Sequence, residues 1–243
     1  YGARNYFVRS DDTTYSFGQG LGGASGNIND PFLYTIWDGN GIDEINAFGF
    51  EQKVQIDLRQ GHFSSIGNGI DGNALSFDDE GGVFGGEEDP GNVAIAFHTV
   101  IEDAVGTDQG DTLIGNAWNN RLDGGAGDDF IYGDGMTYDG NAGFGALESE
   151  DDPMRSYGAR DGIHGAADNL SGDDVLIGGQ GNDQLFGGAG RDTADYSGDA
   201  AAGGAGGITL TLDNNGNGTA TDGFGDTDTL RSIENITGTA ADD

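Results

Sequence analysis

The chain has 243 residues, of which 43 are acidic, nine are Lys or Arg and 49 are glycine, for a formal net charge of −34. It has no cysteine, which excludes disulfides, thiolate metal sites and cysteine nucleophiles, and a surface this acidic repels the phosphates of nucleic acid. No apolar run approaches the ~20 residues that span a bilayer, and Tyr1-Gly2-Ala3-Arg4 lacks the basic and apolar regions of a signal peptide. High charge with a hydrophobic share of 35% fits either a disordered acidic chain or a fold whose carboxylates are neutralised by cations. The pattern along the chain decides between them.

In chain order, Val54-Gln55-Ile56-Asp57-Leu58 alternates in polarity and Val93 to Phe97 also fits, which predicts strands with one buried face. Residues 68–90, with Asp78-Asp79-Glu80 and Glu87-Glu88-Asp89-Pro90, read as an acidic surface loop. A nine-residue repeat then begins, of the form G-G-x-G-x-D-x-U-x with U a large apolar residue. Gly106 to Ile114 keeps Asp111 and Leu113, and Gly115 to Asp123 keeps Leu122 but has Asn120 where Asp is expected. Gly124-Gly125-Ala126-Gly127-Asp128-Asp129-Phe130-Ile131-Tyr132 is complete. Residues 134–169, with Glu148-Ser149-Glu150-Asp151-Asp152-Pro153, interrupt the pattern as a second acidic loop. It resumes at Gly172-Asp173-Asp174-Val175-Leu176 and is complete again from Gly178 to Phe186. Gly187-Gly188-Ala189-Gly190-Arg191-Asp192 opens another copy, with Ala194 at U. Ile208 to Leu212 is a further alternating strand. Asp213, Asn215, Asn217 and Gly218 match the start of an EF-hand loop, but Phe224 stands where that loop needs a bidentate Glu, so 213–218 is expected to be a hairpin turn. Ile233-Glu234-Asn235-Ile236-Thr237-Gly238-Thr239 repeats the form of Ile101 to Thr107 and runs toward Asp242-Asp243, as if entering a further repeat. No segment reads as an amphipathic helix.

The repeat has a physical logic. Its glycines permit a tight turn with positive φ, and x-U-x is a short strand with its apolar residue inward. Two nonapeptides form one coil, so the nearest Asp on the same side lies eighteen residues on, as for Asp111 and Asp129, or Asp174 and Asp192. Oxygens then surround a hard cation, which suits Ca²⁺. They come from the turns at Thr107, Gln109, Gly125, Gly127, Gly172, Gly179, Gly181, Gly188 and Gly190, and from the side chains of Asp111, Asn120, Asp129, Asp174, Asp183 and Asp192. Asn120 supplies no carboxylate and marks a weak position. The expected fold is all-β: a calcium-binding parallel β-roll with flanking β-sandwich-like strands. Residues 1–105 form the N-terminal part, 106–195 the roll interrupted at 134–169, and 196–243 a β module leading into a further repeat.

These nonapeptides are identified as RTX (repeats-in-toxin) repeats. Residues 1–135 resemble the C-terminal domain of the serralysins, secreted zinc metalloproteases, through Tyr1-Gly2-Ala3, Arg9 to Phe17, Tyr34 to Asp43, Phe48 to Ser64 and Ile101 to Gly106. The resemblance implies calcium at two sites before the repeats. Arg9, Asp11 and Thr13 would join Asp38, Asn40 and Asp43 at one, and Gly41, Asp43, Val100 and Glu102 would form the other. It also implies secretion to the extracellular space by type I machinery and a catalytic or other domain before Tyr1. The function implied is a domain that folds on Ca²⁺ outside the cell and supports secretion and stability of a larger protein. A structural segment of an adhesin, surface-layer or filament protein is the alternative, because the last hundred residues depart from the serralysin pattern.

Catalysis is not expected within the chain. His62, His98 and His164 are the only histidines, and none lies in the H-E-x-x-H that zinc proteolysis needs. No G-x-S-x-G elbow is present. The histidines read as surface or packing residues, Trp37 as packed in the core or a turn, and Trp118 as exposed.

Overall fold

A computed structural model describes residues 11–17, 33–67, 91–134 and 172–239. Arg9, His164, Asp242-Asp243, the loop read at 68–90 and all but Asp134 of the one read at 134–169 lie outside the described residues.

The triplet around each apolar position becomes a short strand, and successive triplets fall alternately on two sheets. One sheet stacks β1 (Thr14–Ser16), β3 (Glu44–Asn46), β7 (Asp103–Val105), β9 (Arg121–Ala126), β11 (Val175–Gln180), β13 (Thr193–Asp195) and β17 (Asn235–Thr237), every pair parallel. The facing sheet runs β4 (Gln55–Asp57), β8 (Thr112–Ile114), β10 (Phe130–Tyr132), β12 (Gln184–Phe186) and β16 (Thr227–Arg231) in parallel. It then closes antiparallel with β15 (Gly218–Thr221) and β14 (Thr209–Leu212). A third, small sheet joins β2 (Tyr34–Ile36), β6 (Val93–Ile95) and β5 (Phe63–Ser64). The U residues point between the two large sheets. Ala104, Leu122, Leu176 and Ala194 face Ile56, Leu113, Ile131, Leu185 and Leu230, all fully buried.

Two breaks in the sequence leave no break in the roll. Asp111 and Asp129 are stacked neighbours eighteen residues apart, and Asp129 and Asp183 are stacked neighbours fifty-four apart. The difference is two whole coils of sequence. Leu122 sits opposite Leu176, and Ile131 opposite Leu185, as in an uninterrupted roll. After β13 the chain leaves again, through the one-turn helix α1 (Asp199–Ala202) and the β14–β15 hairpin, and returns with Leu230 opposite Leu185 and Ile236 opposite Ala194.

The hairpin expected at 213–218 is present: Asp213 N–H donates to the Asn217 carbonyl at 2.9 Å, and Asp213 Oδ1 accepts from the backbone of Asn215 and Asn217. Three expectations differ. Val54 to Leu58 is buried throughout, and the segment of β5 closes the free edge of β4: Asp57 N–H donates to Ser64 Oγ at 2.9 Å, and Gln55 pairs antiparallel with Ser65. Ile208 to Leu212 is only partly buried: Ile208 and Leu212 pack against the core, but β14 is an edge strand and Leu210 stays 40% exposed. Trp37 is 58% exposed rather than packed. Ile36 takes the core side at the end of β2, and the two-residue period of a strand sends Trp37 outward. Trp118 is exposed as expected.

Candidate metal centre

Each turn places its Asp so that Oδ1 accepts the backbone N–H of the Asp one coil earlier. In one column, Asp111 donates to Asp129 (2.6 Å), Asp129 to Asp183 (2.8 Å) and Asp183 to Asp228 (2.9 Å). In the other, Asp43 donates to Glu102 (2.8 Å), Asn120 to Asp174 (2.8 Å), Asp174 to Asp192 (3.0 Å) and Asp192 to Glu234 (2.9 Å). One carboxylate oxygen per Asp is thereby used. The other, on Asp129, Asp174, Asp183, Asp192 and Asp228, is buried with no hydrogen-bond partner. Such acceptors are costly in a protein interior unless something positive meets them.

The glycines make room for these oxygens. A Cβ on Gly124, Gly178 or Gly187, the first residue of each copy, would overlap Oδ2 of its own Asp129, Asp183 or Asp192. Gly125 and Gly179 (φ 102° and 96°) lie against the carbonyls of Thr107 and Gly125 one coil earlier. Gly181 and Gly190 (φ 134° and 141°) lie against those of Gly127 and Gly172, and Gly127 lies against the backbone of Gln109. Carbonyl oxygens and single carboxylates thus alternate between turns, the donor set of a hard, oxygen-seeking cation. Among the described residues no three His or acidic side chains converge to hold an ion by themselves, so the backbone carbonyls are an essential part of any such shell.

The electrostatics agree. Burial, with neighbouring carboxylates adding to it and backbone hydrogen bonds opposing it, pushes Asp129 up to about 10 and Asp174 and Asp183 to about 8. Burial likewise takes Asp111, Asp192 and Asp228 to about 7. Stacked anions in this setting must be protonated or matched by cations. Asp57 shows the contrast. Burial alone would raise it, but Arg59 at 2.6 Å, with His62 Nδ1 at 3.4 Å, holds it below the ordinary carboxylate range.

Two expected ligands stand differently from the rest. Asp111 has both oxygens occupied, by Val54 N–H and Thr107 Oγ on one side and by the Thr107 backbone N–H on the other. Asn120 accepts from Asn116 N–H and donates to the Glu102 carbonyl, so it is satisfied without charge.

Before the repeats, Asp38, Asp43 and Glu102 are brought together. Burial first, then Asp38, Glu102 and Asp12, raise Asp43 to about 7. Thr13 N–H donates to Asp43 Oδ1 at 2.8 Å, Thr13 Oγ to the Asp11 carbonyl, and Gly41 (φ 131°) packs on the Asp11 backbone. Asp38 is held by the Tyr15 hydroxyl at 2.5 Å and by Thr99. Asn40 is exposed and Val100 half-buried. The sequence reading passed over Asp12, whose carboxylate accepts from Ile42 N–H, and Asp134, Asp228 and Glu234. Asp228-Thr229-Leu230 repeats the tripeptide Asp111-Thr112-Leu113, and Glu234 repeats Glu102 in the Ile-Glu duplication, so both were recoverable from the sequence.

Comparison with known proteins matches residues 4–80 to the Peptidase M10 serralysin C terminal family and residues 105–135 and 170–200 to the RTX calcium-binding nonapeptide repeat. The chain carries RTX repeats joined to a serralysin-type C-terminal region. It is 38% identical over 125 residues to the metalloprotease AprA of Pseudomonas entomophila, covering 50% of this chain and 21% of that protein. It is 37% identical over 125 residues to the serralysin of Photorhabdus laumondii, covering 50% and 22%, and 34% identical over 120 residues to the metallopeptidase AprA of Pseudomonas marginalis, covering 48% and 20%. The chain thus spans about a fifth of the length of these relatives. The matched nonapeptide repeat is a calcium-binding one.

Proposed function

We propose that this RTX chain is a calcium-folded, non-catalytic segment that stabilises a larger secreted protein of the serralysin type. The observation that carries the reading is the row of buried carboxylate oxygens without partners at Asp129, Asp174, Asp183, Asp192 and Asp228. Calcium bound there supplies the positive charge that the turns lack. The chain's own residues do the rest. The glycines open the space, the turn carbonyls face it, and the Asp-to-backbone hydrogen bonds fix the spacing between coils. Ions that bind only the folded form draw the equilibrium toward it by mass action. Extracellular calcium modules work at dissociation constants of roughly 10⁻⁴–10⁻³ M. In that range the chain is unfolded at intracellular calcium levels and folded outside, which suits passage through a type I channel.

Asp38, Asp43 and Glu102, with Thr13 and the Asp11 carbonyl, are assigned a structural ion near the start of the described chain. There it would fix the junction to a preceding catalytic domain. Peptidase activity is assigned to that domain and not to this chain. Circular dichroism tests the reading: a chelator should remove most β signal and millimolar Ca²⁺ should restore it. An unchanged spectrum and melting curve without calcium would reject it.

A further inference from the structure

The roll does not end on a nonapeptide. Asp228 completes one carboxylate column, but the turn that delivers it, Asp222 to Thr227, belongs to the segment that leaves the roll after β13. Asp222 Oδ1 accepts three backbone N–H groups of this turn, from Phe224 (3.0 Å), Gly225 (2.7 Å) and Asp226 (2.8 Å). That locks its carboxyl group and leaves Oδ2 buried without a partner. Asp226 Oδ2 accepts from Gly181 N–H at 3.2 Å and ties the same turn to the last complete repeat. Asp199, at the start of α1, holds it from the other side through Gly223 N–H at 2.9 Å. The Tyr196 ring, 1% exposed, packs beside them, with its hydroxyl next to the Asp228 carboxylate. Buried oxygens of Asp222 and Asp228, on one turn, and the Tyr196 hydroxyl, from the end of β13, therefore lie close enough to interact. Asp222 and Asp228 lie beyond the RTX repeats matched at residues 170–200, and Tyr196 lies near the end of that stretch.

We propose that Asp222, Asp228 and the Tyr196 hydroxyl form an additional divalent-cation site, of calcium chemistry, that caps the end of the roll where the repeat sequence has run out. Two carboxylates and one hydroxyl do not fill a calcium shell of six to eight oxygens. Turn carbonyls and water complete it, in line with the lack of any cluster closed by acidic side chains alone. The Asp222 turn does with a carboxylate what the Gly-Gly turn does elsewhere with carbonyls. Capping matters because a stacked repeat array exposes its core at each end.

This site rests on the calcium-folding reading, and the experiment separates the two. Bound calcium is counted by equilibrium dialysis, and Tb³⁺ luminescence sensitised by tyrosine is followed, in the full chain and three variants. Asp222→Asn keeps the Oδ1 that organises the turn but replaces the free oxygen with an amide. Tyr196→Phe keeps the ring and removes only the hydroxyl. Asp129→Ala, far along the column, reports on a nonapeptide site. The expected result is one ion fewer in Asp222→Asn, a several-fold weaker terminal ion and reduced Tb³⁺ emission in Tyr196→Phe, and a separate loss in Asp129→Ala. If Asp129→Ala loses an ion while Asp222→Asn and Tyr196→Phe match the parent in count, affinity and emission, the terminal site is overturned and calcium folding stands. If the parent chain binds no calcium, both fall. Should Asp222→Asn fail to fold, Tyr196→Phe decides alone, and unaltered emission rejects the site.

Discussion

At the scale of single residues, chemistry in this chain is governed by what glycine leaves out. Gly179 has φ 96°, and a Cβ there would overlap the Gly125 carbonyl oxygen. Gly179→Ala therefore combines left-handed strain of roughly 1–2 kcal/mol with a clash that pushes two coils apart. A loss of about 3 kcal/mol or more is expected, seen as a higher calcium midpoint for folding. Gly198 has φ −78° and nothing within 4 Å of its added Cβ, so Gly198→Ala should stay within about 0.5 kcal/mol of the parent. Equal midpoints for the two variants would refute this account of the turns. Asp111 and Asp129, alike in the sequence, differ in the fold. The Thr107 amide takes Oδ2 of Asp111, whereas Asp129 receives only the Asp111 N–H on Oδ1 and its Oδ2 is left without a donor.

At the scale of elements, register outlasts interruption. Strands β9 and β10 pair with β11 and β12 as though the chain between them were absent. Asp134 helps at the junction, accepting from Ala189 N–H at 2.7 Å and from Gly172 N–H at 3.4 Å. Excising residues 135–170 and joining the ends with a short Gly-Ser linker should leave the calcium midpoint within about twofold, since loop length enters stability only logarithmically. A tenfold higher midpoint would mean that the segment supplies ligands or packing. The nine-residue phase of Leu113, Leu122 and Ile131 made the strands, their parallel pairing and the eighteen-residue stacking legible in the sequence. The sequence did not reveal that Leu176 and Leu185 stack directly on Leu122 and Ile131, because periodicity records spacing within a block and carries no information on which block is the spatial neighbour. The return of the chain at Asp228-Thr229-Leu230 was missed for the opposite reason: the tripeptide is present, but its glycines are replaced by the Asp222 turn, so the template failed where the fold continued.

For the molecule as a whole, a net charge of −34 and a narrow core set the pH behaviour. Asp129, Asp174, Asp183, Asp192 and Asp228 are all raised by burial in the metal-free fold, to about 10, 8, 8, 7 and 7. In an unfolded chain each titrates near 3.9. Between those values the folded form holds protons that the unfolded form has released, so metal-free stability falls as pH rises through this window and is fully present below it. In chelator, β structure should weaken as the pH rises from 5 through 8 and go on weakening toward 10, where Asp129 ionises. With saturating calcium both forms are ionised above about pH 6, and the dependence should vanish. Stronger β signal in chelator at pH 8 than at pH 5 would overturn the sign.

The backbone-to-carboxylate hydrogen bonds along the two ligand columns all run one way. Val54, Asp111, Asp129 and Asp183 each donate a backbone N–H to the carboxylate of the next coil toward the C-terminus, and Thr13, Asp43, Asn120, Asp174 and Asp192 do the same on the other side. Each column is therefore a polar stack whose two ends are inequivalent. Removing a coil from the N-terminal end frees a carboxylate oxygen, which water or a cation readily satisfies. Removing one from the C-terminal end strands a buried amide, for which no cation is a remedy, at a cost of about 1–3 kcal/mol. The strand ladder runs the opposite way at the neighbouring residues, Phe130 donating to the Asp111 carbonyl, Gln184 to that of Asp129 and Thr229 to that of Asp183, so every coil is tied to both neighbours and loss of a coil at either end strands an amide.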